Sequence, residues 1–290
     1  MARTGEAASR WVGGIIRDFV DKDPGNRMPA GSGERIWDEP LVGFASGADP
    51  MFVQNKEHIG DFVWTPAEIM AEAHPELEFG DQDLVVIAWV LPQTEATRRE
   101  NAGQKVYPSR RWAVARGPGE AFNERLRAHL VAELERAGVA AVAPMLHPKW
   151  QREDSAKYGY ASRWSERHAA HAAGLGTFGL CDGLITPRGK AVRVGSVVAR
   201  LEVPASGRPY RDHHAYCLFY SQGTCLKCVP RCPVGALSPQ GHDKIKCGRH
   251  VHVTSSAYVK ETYGLEADCC GLCQVEVPCS HHIPSPAEGL

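Results

Sequence analysis

Ten of the 290 residues are cysteine, and nine of them lie between residues 217 and 279. Their order is Cys217, then Cys225-x2-Cys228-x3-Cys232-Pro233, then Cys247, then Cys269-Cys270-x2-Cys273-x5-Cys279. Thiolates at such spacings hold metal. The ending Cys-x2-Cys-x3-Cys-Pro is that of cubane iron–sulfur runs, in which the last cysteine of each run crosses to the other cluster. The chemistry would be single-electron transfer. Read this way, Cys217, Cys225, Cys228 and Cys279 hold one [4Fe–4S] cluster, and Cys232, Cys247, Cys270 and Cys273 hold the other. The regular spacing would put a cysteine where Gln222 stands, so Cys217 must reach round Ser221-Gln222-Gly223 to replace it. Cys279 is followed by Ser280 and not by proline. Cys181 and Cys269 are left over, and Cys269 competes with its neighbour Cys270. Zinc, which favours paired Cys-x2-Cys groups, and disulfides are the rival uses of these thiols.

The elements that must position these groups come earlier in the chain. Asp83 to Leu91 is a continuous apolar run bounded by turn residues and predicts a buried strand. Phe122, Leu126, Leu130 and Leu134 recur at helical spacing between Gly119 and Gly138, which predicts a helix with a glycine C-cap. Val139 to Ala143 and Val192 to Val203 read as strands, and Arg163 to Ala173 as a second helix. Residues 1–40 are polar and rich in Gly and Pro after an amphipathic stretch, Ser9 to Val20, and read as a loosely packed extension. After Pro204 the composition turns to Cys, His, Pro and Gly, so a boundary is expected near residue 205. The fold class expected is α+β, a larger domain over 1–204 followed by a small metal-stapled domain over 205–290.

Hydrophobic content is 43% and charged content 23%, and Lys+Arg 33 against Asp+Glu 34 leaves a net charge of −1. No basic excess marks a dominant nucleic-acid surface. No run approaches the ~18 apolar residues of a membrane span. The first ten residues carry neither the apolar core of a signal peptide nor a twin-arginine pair. A cytoplasmic protein is expected, where thiols stay reduced and clustered cysteines bind metal.

Gly174-Leu-Gly176-Thr177-Phe-Gly179 matches a G-x-G-x-x-G string, but a dinucleotide fingerprint follows a strand and opens a helix. Here a helix precedes it and Cys181-Asp-Gly183-Leu184-Ile185-Thr-Pro187 follows, so a nicotinamide site is not expected. A glycine-rich turn instead lets the backbone approach a large planar ligand, unless it is simply a tight turn.

The stretch from Ser165-Glu166-Arg167 through Gly174-Leu-Gly176-Thr-Phe-Gly179 to Gly183-Leu-Ile-Thr-Pro187 resembles the corrinoid-binding core of reductive dehalogenases. More loosely it is similar to epoxyqueuosine reductases, whose Glu-Arg, Ala-Gly-Leu-Gly and Gly-Ser landmarks would fall here, the last at Gly195-Ser196. Both families place a two-cluster domain directly after this core, with an isolated cysteine before the second group, as Cys247 is. The resemblance runs from about Tyr158 to Pro284. It implies a nitroreductase-like, corrinoid-binding domain followed by a ferredoxin-like domain. It also implies base-off cobalamin near Gly174, Gly176, Thr177, Gly179, Gly183, Leu184, Ile185 and Ser196. No Asp-x-His-x-x-Gly motif supplies an axial histidine, in keeping with base-off binding. The proton donor of these families stands six residues before the Glu of the Glu-Arg pair, an Asp in epoxyqueuosine reductases and a Tyr in reductive dehalogenases. Here that position is Tyr160, with Tyr158 a close rival. A phenol with an ordinary pKa of about 10 is protonated at neutral pH and can donate to a developing carbanion or alkoxide.

The resemblance therefore implies a cobalamin-dependent iron–sulfur reductase. An external donor (ferredoxin, flavodoxin or reductase) would feed the clusters, and a C–halogen or C–O bond of a small organic substrate would be cleaved. The absence of Asp at the acid position, the end of the chain soon after the clusters and the near-neutral charge argue against tRNA. A non-catalytic electron-transfer or corrinoid-handling protein and an epoxyqueuosine (tRNA) reductase are the alternatives. Trp64, Trp89, Trp112 and Trp150 are candidate cavity walls, of which one or two are expected to serve, and Met51 to Met70 is a candidate cover. His281 and His282 are expected to shield a cluster.

Overall fold

Helix α1 (Gly5–Lys22) opens the chain, and its residues Ala8, Val12, Ile16 and Val20 recur every four and are all buried. The expected loose extension is therefore part of the core over the described residues, because the amphipathic stripe has a sheet to cover. The structure, a computed structural model, describes residues 4–29 and 33–289, so residues 1–3 and 30–32 of that extension lie outside the described residues. Strand β1 (Leu41–Ser46) follows, then α2 (Pro50–Ile59) and α3 (Pro66–Ala73). A capping box starts α3: Thr65 Oγ1 accepts from the Glu68 amide and the Glu68 carboxylate accepts from the Thr65 amide.

Strand β2 (Val85–Pro92) is the predicted apolar run, and every residue in it is buried. Next come α4 (Glu95–Ala102), α5 (Arg110–Arg116), α6 (Pro118–Arg136), the short β3 (Ala141–Val142), the hairpin β4 (Arg152–Ser155) and β5 (Gly159–Ser162), and α7 (Glu166–Ala172). The glycine-rich turn holds β6 (Thr177–Phe178) paired with β7 (Leu184–Ile185), and β8 (Val192–Ala199) completes the first part. The central sheet has the order β1-β2-β8-β3 and is antiparallel throughout.

Side chains alternate across a strand. Val85, Ile87, Trp89 and Leu91 face α1 and α6, while Val86, Ala88 and Val90 face a second core with α3 and α7. An antiparallel sheet covered on both faces explains why β2 reads as an unbroken apolar run. Each of its larger aliphatic side chains contributes about 1.5–3 kcal/mol on burial. Gly195 of β8 stands opposite Trp89, and a Cβ there would lie 2.4 Å from the indole.

After β8 the chain runs through α8 (Leu218–Gln222), the hairpin β9 (Leu237–Ser238) and β10 (Gly241–His242), and α9 (Lys244–Arg249). It then passes a π-helical turn (His250–Ser255) and ends its regular structure with α10 (Ser256–Tyr263). The segment after the expected boundary at 205 is stitched back onto the first part. Phe44 exchanges hydrogen bonds with Ser206, Phe178 N donates to His213 O at 2.7 Å, and Tyr216 N donates to Thr177 Oγ1 at 2.9 Å. Among the described residues no helix is long and apolar enough to cross a membrane.

Candidate functional site

Cys217, Cys225, Cys228 and Cys279, the set expected to share one cluster, line a single recess of about 350 Å³. Cys217 caps the N-terminus of α8, and Gly223 at φ +70° turns the chain back after a single helical turn. That turn leaves Cys217 at the recess that Cys225 and Cys228 also line. Cys279 arrives from a 3-10 turn, Pro278–Ser280. Gly179, Leu180 and Ile185 of the glycine-rich turn and Lys190 before β8 complete the wall.

The second set gathers beside the first. Cys247 sits on α9, where the His242 side chain hydrogen-bonds it. The Ala236 amide donates to Cys232 Sγ at 3.1 Å. Burial pushes the Cys270 thiol up to about 11, with Cys247 and Cys232 among its charged neighbours. Cys273 lies between Cys270 and Cys181. Its neighbour Cys269 points elsewhere, into an apolar cluster with Trp112, Val259 and Val275, where burial pushes it up to about 12. Among the described residues no three His, Cys, Asp or Glu side chains close on a single metal-sized point. Eight thiols in two neighbouring groups are the donor chemistry that two cubanes require.

Two residues at this centre escaped sequence reasoning. Cys181 is buried in the same cluster as Cys217 and Cys228, and its thiol is pushed well down by a hydrogen bond from Cys273 and by the nearby Lys190. Lys190 is 3% exposed, and its Nζ donates to Cys181 Sγ at 3.5 Å. Burial alone would push its ammonium down, but the charges of Cys181, Cys279, Cys228 and Cys273 outweigh it and hold the group well above its usual range. The available signal was an extra thiol preceding a ligand set already complete. The expectation that His281 and His282 shield a cluster rests on their place beside Cys279. His282 pairs with Glu288 at 2.9 Å.

Next to α7 lies a second recess of about 240 Å³, lined by Phe52, Ile59, Val63, Trp64, Trp164 and His168 among others. The Met51–Met70 segment supplies most of one wall. Of the four candidate tryptophans, Trp64 lines this recess, Trp89 and Trp112 are core residues, and Trp150 packs at the core's edge. Trp164 was missed. Its Nε1 donates to Ser196 Oγ at 2.9 Å. His168 is anchored to Ser165 Oγ at 2.7 Å, and burial lowers it to about 3, so it is neutral at ordinary pH.

Beneath α7 runs a buried ion network. Arg127 Nε donates to Glu166 at 2.9 Å and its Nη1 to Glu120 at 3.2 Å, while Ser196 Oγ donates to the other Glu166 oxygen. Burial lifts the Glu166 carboxyl above the usual range against the pull of Arg127 and Ser196. Two donors on one carboxyl group describe the ionised form, and the contact geometry is that of an ion pair. Glu120 is held down at about 2: burial opposes this, but Arg193 and Arg127 overcome it.

The residues expected to cradle a corrinoid are used by the chain itself. A Cβ on Gly174 would lie 2.5 Å from Gly207 O, and one on Gly176 would lie 2.3 Å from Ile185 O. These glycines thus allow close approach of the chain's own backbone, where a planar ligand was expected. Ser196 Oγ accepts from Trp164 and donates to Glu166, and Thr177 Oγ1 accepts from the Tyr216 amide. Leu184 is a core residue, Gly183 abuts Cys181, and Gly179 and Ile185 line the cysteine recess. The glycines expected to cradle a corrinoid pack against the chain's own backbone, while one set of four cysteines meets around a recess. Tyr160 lies on β5, half exposed and outside both recesses. Arg152 Nη1 donates to its hydroxyl at 3.3 Å and His252 stacks on its ring. Tyr158 packs against His58 and Lys244.

No family profile matches the chain, and no curated protein matches it in sequence. Its fold is similar to that of the catabolic reductive dehalogenase NpRdhA. One variant of that protein aligns at 15% identity over 96% of this chain and 37% of that one, with a TM-score of 0.51. Epoxyqueuosine reductase from Bacillus subtilis aligns at 17% identity over 85% of this chain and 65% of that one, with a TM-score of 0.42. Epoxyqueuosine reductase with a tRNA-Tyr stem loop aligns at 17% identity over 86% of this chain and 64% of that one, with a TM-score of 0.44. The chain thus spans about two thirds of the reductases and just over a third of the dehalogenase.

Proposed function

We propose that the chain is an iron–sulfur reductase. It takes single electrons from an external donor, a ferredoxin, flavodoxin or reductase, and passes them through two [4Fe–4S] clusters toward the α7 face. The observation that carries this reading is the meeting of Cys217, Cys225, Cys228 and Cys279 around one recess, with Cys232, Cys247, Cys270 and Cys273 as the second set. The proposed layout is a nitroreductase-like body over 1–204 and a ferredoxin-like domain over 205–290, acting in the cytoplasm. Shared ligand runs bring two cubanes close enough for electron exchange.

The proposed reaction is reductive cleavage of a C–halogen or C–O bond in a small organic substrate. The aromatic recess of Trp64 and Trp164 would orient the substrate and keep water out. Cobalamin is the cofactor that the resemblance implies, and a dehalogenase of this fold has been described as B12-dependent. Because the glycine-rich turn closes on its own chain, no step is assigned to that group. Tyr160, the position that the resemblance gives to the proton donor, lies outside the aromatic recess on β5 beside Arg152, so its proposed role requires a substrate that reaches β5. Tyr160→Phe is expected to lower turnover by about 10²–10⁴-fold with iron content unchanged. Turnover equal to wild type would remove Tyr160 from the mechanism.

A second reading, an electron-transfer protein without a corrinoid, is favoured by the same closure of Gly174 and Gly176 on their own backbone. Anaerobic reconstitution with iron, sulfide and cobalamin separates the two. About eight irons, four for each cubane, with bound cobalt and a base-off paramagnetic signal would support the reductase. Full iron without cobalt would leave the electron-transfer protein, and absence of iron would sink both. Retention of a tRNA stem loop by the reconstituted protein would instead favour a tRNA reductase.

A further inference from the structure

We propose that Lys190 and Cys181 form a fixed charge device between the two cluster sites, and that Lys190 raises the reduction potential of the cluster held by Cys217, Cys225, Cys228 and Cys279. This rests on the iron–sulfur reading above. Lys190 Nζ donates to Cys181 Sγ at 3.5 Å, and Lys190 lines the recess shared by Cys217, Cys225, Cys228 and Cys279. Cys181 packs in one cluster with Cys273 of the other set. One buried ammonium therefore stands at the first cluster's recess and, through a thiol that neither cluster needs, beside a ligand of the second.

The placement is rigid. The Lys190 amide donates to Cys279 O at 2.9 Å and the Ala191 amide to Ser280 O at 3.3 Å. Gly189, at φ +75°, lies so close to the backbone of Ser280 and His281 that a Cβ would stand 2.3 Å from the His281 amide. The segment carrying Lys190 is thus clamped to the segment carrying Cys279. A solvated lysine would be screened, but one that is 3% exposed is not.

Reduction adds one electron to a cluster that is already anionic through its thiolates. A cation beside ligating sulfurs favours the reduced form, and cluster potential follows net charge, hydrogen bonds to sulfur and exposure. Lys190 therefore acts as a positioning residue for electrons, lowering the cost of the reduced state without touching iron.

The test is a redox titration of the reconstituted full chain followed by electron paramagnetic resonance. Lys190→Met removes the charge at similar volume. At a fixed potential its reduced-to-oxidised ratio should fall at least tenfold, equivalent to about 59 mV for a one-electron couple, with iron content at the wild-type level. Lys190→Arg should restore most of the ratio. An unchanged ratio in Lys190→Met at full iron content would overturn the proposal. Should Lys190→Met take up no iron, Lys190→Arg decides: iron with a near wild-type ratio supports the charge, and loss of iron there too makes Lys190 a packing residue and overturns it. A wild-type chain that takes up no iron overturns the cluster reading itself, and this inference with it.

Discussion

Replacing Arg127 by methionine is expected to remove about 3–5 kcal/mol of folding stability, the usual cost of deleting one partner of a buried ion network. The guanidinium is 1% exposed and serves Glu166, Glu120 and the Val194 carbonyl together. Without it two buried carboxylates face each other, and the support of α7 goes with them. Denaturant unfolding of wild-type and variant chains measures the loss, and a loss under 1 kcal/mol would mean that water or Arg193 takes over the pairing. The pH dependence has a definite sign. The Glu120 pKa in the folded chain is about 2, below the ordinary 4.5, so its contribution is complete above about pH 4.5 and fades as the pH falls toward 2. Glu166 is shifted upward, so its own contribution falls above pH 4.5, where it makes stability rise as the pH drops toward 4.5. The Arg127 variant should lose most of the Glu120 contribution, leaving a flatter stability profile between pH 5 and 2.

The second large effect concerns the thiols. Cys228→Ala is expected to cut the iron bound on reconstitution from about eight to about four per chain, because one cubane loses a ligand and the other keeps its set. Cys270→Ala should remove the other cluster to the same extent. Cys269→Ala should leave the iron count unchanged, since that thiol lies among Trp112, Val259 and Val275. Iron analysis with paramagnetic resonance of each variant reads this directly. Loss of iron in Cys269→Ala, or a full complement in Cys228→Ala, would mean that the ligand sets are wrongly drawn.

Much of this was legible in the residues. The apolar run now β2 announced itself because an antiparallel sheet covered by helices on both faces leaves no position for a polar side chain. The helix ending near Gly138 was visible in its four-residue apolar spacing. The choice between Cys269 and Cys270 was not legible, since adjacent residues differ only in which way they point once packed. Lys190 was equally hidden. A lysine in Arg188-Gly189-Lys190 reads as a solvated turn, and only the pairing of that turn with the segment after Cys279 puts it indoors. What the sequence did not reveal about Gly174 and Gly176 is their close approach to the chain's own backbone at Gly207 and Ile185. The N-terminal helix was underrated because its apolar stripe has meaning only once α6 and the sheet stand beside it.

The wall of the cysteine recess contains Gly179, Leu180, Ile185 and Lys190, all contributed before residue 205. A fragment starting at 205 would keep the nine thiols between 217 and 279 and lose that wall, leaving one proposed cubane open to solvent and dioxygen. Such a fragment should bleach in air faster than the whole chain. On the proposed iron–sulfur reading, the cysteine-bearing part is therefore no detachable cassette: in evolution or in engineering, it could be moved to another protein only together with the turn that roofs it.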